Sequence, residues 1–279
     1  MSRNKLVQPF LKWAGGKRQL LPDIRKYAPR EYNNYFEPFL GGGAVLFDLQ
    51  PEQAVVNDVN PELVNAYQVV RDHVDDLIQA LSKHINDKSY FYSLRELDRK
   101  PVFLELSNIE RASRLIYLNK TCYNGLFRVN SQGQFNVPFG AYKNPNIVNE
   151  LSLRAVHDYL SSRNVQILNV DFAQAVADAN EGDFIYIDPP YDPLSDTSSF
   201  TGYSLQGFNR EEQVRLKETI DDLNQRGCKV MLSNSATEFI RDLYHDYTII
   251  NVEASRAINS NASRRGKIDE LLVINYGIE

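Results

Sequence analysis

The chain has 279 residues, enough to bury a sizeable core in one large domain or in one domain carrying an insertion. Its 43% hydrophobic and 24% charged content is that of an ordinary globular protein, and no apolar run reaches the length of a membrane span. Only Cys122 and Cys228 are present, far apart, and no apolar leader follows Met1, so a disulfide framework and a Cys-X-X-Cys zinc site are excluded and a reducing, cytoplasmic setting is expected.

The net charge of −5 speaks against nucleic acid only as an average. Residues 111–145 hold Arg111, Arg114, Lys120, Arg128 and Lys143 without a single acid, and 254–268 hold Arg256, Arg264, Arg265 and Lys267 likewise. A local positive surface is what meets phosphates, although a solvated face produces the same clustering. His73, His84, His157 and His245 are scattered without ligand spacing, so no metal is implied.

In chain order, Lys12-Trp13-Ala14-Gly15-Gly16-Lys17 comes first and holds the only tryptophan. An indole beside Gly-Gly and a lysine can cover a nucleoside and neutralise a carboxylate; it can equally be a core Trp at a helix start. The GxxxxGK[ST] spacing of a P-loop is absent. Residues 34–40 (NYFEPFL) read as a strand running into Gly41-Gly42-Gly43 and the helical AVLFDL. Phe39, Gly41 and Gly43 fit FxGxG, while Leu46 breaks GxGxxG; bare glycine backbone approaches a ligand closely. Residues 53–57 form a second strand ending at Asp58. An acid there binds ribose hydroxyls or caps the next helix, a role for which Asn60 is equally suited. Leu63, Val64, Tyr67, Val70, Val74, Leu77, Ile78 and Leu81, at spacings of three and four, predict a helix from about 61 to 83.

The helical pattern runs on to about Leu118 and gives way to a stretch rich in aromatics, Asn and Gly. There 126–130 and 134–137 flank Ser131-Gln132-Gly133, which predicts a β-hairpin. The α/β rhythm then resumes, with a strand at 165–170, a helix at 172–179, an apolar strand at 184–188, a helix at 210–226 closed by Gly227, and a strand at 229–234. TIINVEA and ELLVINY read as a final antiparallel pair. Such alternation implies a mostly parallel sheet covered on both faces, with the middle segment inserted into it.

Asp188-Pro189-Pro190-Tyr191 follows the apolar strand directly. Ligands bind at the carboxyl ends of strands in open α/β sheets. Two prolines stiffen the chain and cannot continue the ladder, so they hold the Asp188 carboxylate and the Pro189 carbonyl as fixed acceptors beside the Tyr191 ring. Paired acceptors and a stacking ring suit a planar amino group such as N6 of adenine; the plain alternative is a proline turn with a capping Asp.

KWAGGK at 12–17, EPFLGGG at 37–43, NDVN at 57–60, YNGLFRVNSQGQFNVPFG at 123–140 and DPPY at 188–191 together resemble the Dam-type DNA adenine-N6 methyltransferases, above all the GATC-specific methylases of restriction-modification systems. The resemblance spans nearly the whole chain. It implies a Rossmann-like class I methyltransferase sheet, mostly parallel with an antiparallel last strand. Residues 1–60 and 146–279 would form the cofactor-binding and catalytic domain, and 61–145 a mainly helical target-recognition insertion bearing the hairpin.

It further implies that S-adenosyl-L-methionine is held by Trp13, Ala14, Gly15, Lys17, Glu37, Pro38, Phe39, Gly41, Gly42, Gly43, Asp58, Asp188 and the pair Asp171 and Phe172, which meets the cofactor adenine. Asp188, Pro189, Pro190 and Tyr191 would be the catalytic wall. On double-stranded DNA, Arg128 would read a guanine and Leu126 and Pro138 a thymine methyl. Tyr123 would wedge into the gap left by the flipped base, with Asn124 facing the orphaned partner, and Lys12 and Tyr142 would help with the first base pair. Lys120, Asn136 and Ser195 complete the implied DNA contacts. Ala141 stands where some relatives carry a basic residue. A monomer suffices for such a reaction and a dimer is compatible with it; pairing with a restriction endonuclease and a solitary methylase both fit the resemblance. Methylation of protein glutamine, RNA adenine or cytosine N4, an inactive DNA-binding core and a nicotinamide oxidoreductase are the competing readings, the last lacking any hydride-transfer partner.

Overall fold

A computed structural model describes residues 3–13, 15–193, 207–255 and 267–278. Its strands are β1 (Tyr35–Glu37), β2 (Gln53–Asn57), β3 (Asn164–Leu168), β4 (Phe184–Ile187), β5 (Lys229–Ser235), β6 (Thr248–Ser255) and β7 (Lys267–Ile274). They form one sheet in the order β3-β2-β1-β4-β5-β7-β6. Strands β1 to β5 pair in parallel, and β7 runs antiparallel between β5 and β6, in register from Thr248↔Ile274 to Ser255↔Lys267. The expected sheet and its antiparallel last strand are therefore both present. The helices among the described residues are α1 (Leu21–Tyr27), α2 (Ala44–Leu49), α3 (Pro61–Asp72), α4 (Val74–Ser82), α5 (Lys88–Arg95), α6 (Asn108–Thr121), α7 (Glu150–Ser162), α8 (Phe172–Ala175), α9 (Arg210–Gln225) and α10 (Glu238–Leu243). None of them is long and apolar enough to cross a membrane.

Strand β4 explains why the sheet is covered on both faces. All four residues are buried; Phe184 and Tyr186 enter one core with Tyr35 and Met231, while Ile185 and Ile187 enter another with Leu216, Ile220 and Leu223 of α9. That split follows from side chains alternating across a strand. The chain runs outward from β1 to β2 and β3, then returns to place β4 on the other side of β1. This reversal opens a crevice at the carboxyl ends of β1 and β4, just where Glu37 and Asp188 stand.

The segment 61–145 supplies α3 to α6. Its Tyr67, Leu115, Leu118 and Phe127 lie in the same core as Tyr35 and Tyr186 of the sheet. The single helix expected over 61–83 is two, α3 and α4, broken at His73, whose φ of −140° and ψ of 41° are not helical. Helix α6 starts at a capping box of Ser107 and Glu110. The expected hairpin is held by one bridge, Val129↔Phe135, with Asn130 donating its N–H to the Gln134 carbonyl at 2.9 Å. The Asn130 side chain also accepts from the N–H groups of Gln132 and Gln134, curling the loop too tightly for extended strands. Helix α8 stops at Ala175 instead of reaching 179; the chain goes on in tighter turns, Ala177 N–H to Gln174 and Ala179 N–H to Val176, and the carbonyls of Val176, Ala177 and Ala179 also accept from the Arg226 guanidinium.

His84 braces the helical segment, its ring nitrogens 2.7 Å from the Tyr90 hydroxyl and 2.8 Å from Ser113 Oγ. Burial pushes its pKa down to about 4. A depressed folded-state value means that stability is complete above the unfolded value near 6.5 and is lost as pH falls toward 4. Calorimetry between pH 7 and pH 4 should show about 1–2 kcal/mol more loss in the wild type than in His84→Gln, after discounting for partial exposure; equal slopes would assign the acid sensitivity elsewhere.

Candidate active site

Strand β4 delivers Asp188 to the crevice, where its two oxygens have different surroundings. Oδ1 accepts from the Lys17 ammonium at 2.7 Å and from Ser233 Oγ at 2.9 Å, with the Tyr186 hydroxyl 3.1 Å from Ser233. Oδ2 has no partner among the described residues. The Pro189 carbonyl has none either, whereas that of Pro190 accepts from Gln213 Nε2 at 2.8 Å. The Lys17 ammonium lies 4.6 Å from the centroid of the Tyr191 ring, and the Tyr191 hydroxyl donates to Glu270 at 2.8 Å.

The turn is fixed at its far end too. Asp192 is buried and paired with Arg210, its carbonyl accepts from Ser235 Oγ at 2.7 Å, and its N–H meets Asn234 Oδ1 at 3.3 Å. Asn234 in turn donates to Gln213 at 3.1 Å. Two proline rings restrict φ within the turn, and β5 and α9 hold it from outside, leaving two open acceptors on consecutive residues.

The electrostatics match this division. Burial raises the Asp188 carboxyl above its ordinary range, and the Lys17 charge is the largest opposing effect. Glu37 is 2% exposed and takes a hydrogen bond from the Tyr35 hydroxyl at 2.7 Å. Burial pushes it up to about 8, so at neutral pH it is largely protonated and the buried lysine serves Asp188. Glu37 is thus buried beside Tyr35 at the end of β1, within electrostatic reach of Asp188 and Lys17.

The glycine turn lies alongside. Gly41 and Gly43 have φ of +50° and +66°, and a Cβ on Gly43 would lie 2.7 Å from the Tyr67 hydroxyl. That hydroxyl donates to the Gly41 carbonyl at 3.0 Å. Asp58 accepts from the N–H of Gly41 and of Asn60, each at 2.9 Å, while Asn60 caps α3 through the N–H groups of Glu62 and Leu63. The helix cap is thus Asn60, and Asp58 ties β2 to the glycine turn. Buried Asn57 donates to the carbonyls of Pro38 and Val170 and accepts from the Val170 N–H, joining the ends of β1, β2 and β3. Asp171 follows, capping α8 at the Ala173 N–H and paired with Arg215. Phe172 is buried against Phe39, ring centroids 5.4 Å apart. Trp13 stacks on Phe127 at 4.5 Å, its ring edge against Gly41 and its Cβ beside Gly42. The Gly15 carbonyl accepts from Lys17 at 2.6 Å. Ala14 lies outside the described residues.

The basic, aromatic turn lies next to this segment. Asn119, fully buried, exchanges hydrogen bonds of 2.8 Å with the backbone N–H and carbonyl of Lys12 and donates to the Gly125 carbonyl at 3.1 Å. Tyr123 is 55% exposed beside Asn124, whose φ is +57°. The Tyr123 N–H donates to the carbonyl of exposed Pro138 at 2.8 Å. Exposed Arg128 donates Nε to Asn136 Oδ1 at 2.7 Å, and its terminal nitrogens have no partner among the described residues. Leu126 is half-buried against the core, and the Lys12 ammonium is 5.7 Å from the Tyr142 ring centroid. Burial pushes Lys120 down to about 8, with Lys12 and Arg18 adding repulsion. Among the described residues these three cations pair with no carboxylate. Ser195 lies outside the described residues.

Sequence reasoning missed Ser233, Asn234, Gln213, Asn119 and Arg18. A polar Ser-Asn at the end of an apolar strand, at the same sheet edge as Asp188, was the available signal for the first two. Gln213, on the buried face of α9, carried none.

A family model described as D12 class N6 adenine-specific DNA methyltransferase matches residues 13–258. The chain is 47% identical to the Type II methyltransferase M1.LlaDCHI of Lactococcus lactis subsp. cremoris, over 99% of each chain. It is 43% identical to the Type II methyltransferase M.MjaIII of Methanocaldococcus jannaschii, over 97% of this chain and 99% of that one. The DNA adenine methylase of Escherichia coli strain K12 is 35% identical, over 97% and 96%.

Gln213→Leu removes the partners of the Pro190 carbonyl and of Asn234 Nδ2. Denaturant unfolding should register a loss of about 1–3 kcal/mol. Turnover should fall roughly ten-fold or more, because the turn is no longer held to a fraction of an ångström. Unchanged turnover would mean that the prolines alone fix it.

Proposed function

Because the chain belongs to the D12 class of N6 adenine-specific DNA methyltransferases, we propose that it transfers a methyl group from S-adenosyl-L-methionine to N6 of an adenine extruded from double-stranded DNA, within GATC. The cofactor supplies an electrophilic methyl on a cationic sulfur. The bare backbone of Gly41 and Gly43, the Asp58 carboxylate and Asp171 line the sheet edge where a nucleoside fits, with Trp13 covering the turn. Lys17 is placed to neutralise a carboxylate there.

The observation that carries this reading is the unequal use of the Asp188 oxygens. Oδ1 is anchored twice, while Oδ2 and the Pro189 carbonyl stay open on a stiffened turn. Two such acceptors suit the two hydrogens of an exocyclic amino group. N6 is a poor nucleophile because its lone pair is delocalised into the ring; accepting both hydrogens favours a pyramidal nitrogen with a localised pair. Positive charge then builds on N6. A cation already rests 2.7 Å from Asp188 and 4.6 Å from the Tyr191 ring centre, which supports the view that this place stabilises positive charge. The excess proton on the methylated nitrogen is acidic, so Asp188 need not be a strong base. Positioning contributes most, roughly 7–11 kcal/mol in favourable cases.

The target base must leave the duplex, at a cost of a few kcal/mol, offset by Tyr123 filling the gap and Tyr191 stacking on the base. Arg128, steered by Asn136, keeps both terminal nitrogens for O6 and N7 of a guanine. Leu126 and Pro138 serve a thymine methyl, Asn124 the orphaned base, Lys12 and Tyr142 the first base pair, and Lys120 a phosphate. On this reading 61–145 is the target-recognition insertion and 1–60 with 146–279 the cofactor-binding and catalytic domain, acting as a monomer. Two relatives named Type II methyltransferases support pairing with a restriction endonuclease.

In the decisive assay, duplex DNA is treated with enzyme and labelled S-adenosyl-L-methionine and probed with nucleases sensitive to methylation at GATC. Protection at other sequences only would refute the specificity. Asp188→Ala should lower transfer by roughly 10³-fold or more while cofactor affinity stays within about three-fold; residual wild-type turnover would refute the assignment. Arg128→Ala should relax base choice at one position, at a cost of about 1–3 kcal/mol for the cognate base. A uniform loss across sequences would mark Arg128 as a phosphate contact.

A further inference from the structure

We propose that Arg215 is a positioning residue for the methyl donor's purine, holding the Asp171 carboxylate so that one acceptor site remains and the site takes a 6-amino purine but rejects a 6-oxo purine. The inference rests on the reading that Asp171 meets the cofactor adenine. Asp171 stands just beyond β3, and Asn57 binds the preceding residue, Val170, to the ends of β1 and β2. Asp171 therefore stands at the same carboxyl edge of the sheet as Asp58 and the glycine turn.

A carboxylate offers about four lone-pair sites. Three are taken on Asp171 by hydrogen bonds to Arg215 and Ala173, and the Phe172 N–H adds a weaker attraction to the same carboxylate. Oδ1 accepts from Arg215 Nη1 at 2.8 Å and from the Ala173 N–H at 3.0 Å, and Oδ2 accepts from Arg215 Nη2 at 2.8 Å. One acceptor site is left, on Oδ2, and only a donor satisfies it. The amino group of adenine is such a donor; the oxygen of a 6-oxo purine is not. The guanidinium beside Asp171 also holds its carboxyl below the usual range, so it stays ionised and cannot donate to an oxo group.

Arg215 is itself fixed twice over. Its guanidinium carbon lies 4.0 Å from the centroid of the buried Phe172 ring, and Nη2 also donates to Glu212 at 2.7 Å. Phe172 packs on Phe39, the residue that leads into the glycine turn. Arg215 thus refers the orientation of Asp171 to the backbone that would carry the rest of the cofactor. The side chains of Arg215 and Asp171 are 39% and 41% exposed, so the pair adds little to stability, and orientation is what a bidentate fork over a ring provides.

The test measures steady-state methylation of duplex DNA by the full chain with S-adenosyl-L-methionine and with its inosine counterpart, in which the 6-amino group is replaced by oxygen. Arg215→Ala should raise KM for the adenosine cofactor roughly ten-fold, leave kcat within about two-fold, and cut discrimination against the inosine cofactor by roughly ten-fold. The acid limb of kcat/KM should move to higher pH, because the carboxyl returns to its ordinary range. Arg215→Lys, a point charge without the fork, should restore the acid limb but not the discrimination. Two results overturn the proposal. If Asp171→Ala raises KM while Arg215→Ala moves neither KM, discrimination nor the acid limb, Arg215 has no positioning role. If Asp171→Ala itself leaves KM unchanged, the adenine is bound elsewhere and the reading beneath the proposal fails as well.

Discussion

A largely buried carboxylate must be compensated, and in this chain the compensation is confined to one side of Asp188. Lys17 and Ser233 converge on Oδ1, and the energetic cost of burying the charge is met there. Oδ2 can then remain an open acceptor without leaving an uncompensated charge. The surrounding structure keeps that asymmetry in place. The apolar strand FIYI carries Asp188 to a sheet edge at the reversal of strand order, two prolines stop the chain there, and Gln213, Asn234 and Ser235 fix the residues that follow. Protonated Glu37 avoids setting a second negative charge against the first.

The turn that would meet DNA is not an independent appendage. Asn119 bonds to Lys12 and Gly125 at once, Trp13 stacks on Phe127, and a Cβ at Gly125 would lie 2.3 Å from the Lys12 side chain. Movement of the 123–125 turn therefore bears on the 12–17 segment, whose Lys17 holds Asp188. The 123–125 turn and the lysine that holds Asp188 are thus joined through packed side chains.

Much of this was legible in the sequence. The short apolar strands that lead to Glu37, Asp58 and Asp188, the glycine turn and the antiparallel final pair are set by local pattern, although β1 stops at Glu37 where the pattern ran on to 40. The break at His73 escaped because the apolar spacing continues across it from Val70 to Val74, so periodicity alone reads one helix. The turn that follows α8 is tied to Arg226, a residue 50 positions away from Val176. Gln213, Asn119 and Arg215 act through partners from 21 to 107 residues distant. No spacing rule encodes such contacts; they exist only once the sheet has brought α9 and β5 beside the proline turn.

The most direct test of the central claim is a crystal structure of the protein bound to a duplex carrying one GATC site and an unreactive analogue of S-adenosyl-L-methionine. The adenine should lie outside the helix, its amino nitrogen within hydrogen-bonding distance of both Asp188 Oδ2 and the Pro189 carbonyl, its ring on Tyr191, and the Lys17 ammonium moved off the tyrosine face. An amino nitrogen bonded to neither oxygen, or an Asp188 carboxylate turned away from the bound base, would contradict it.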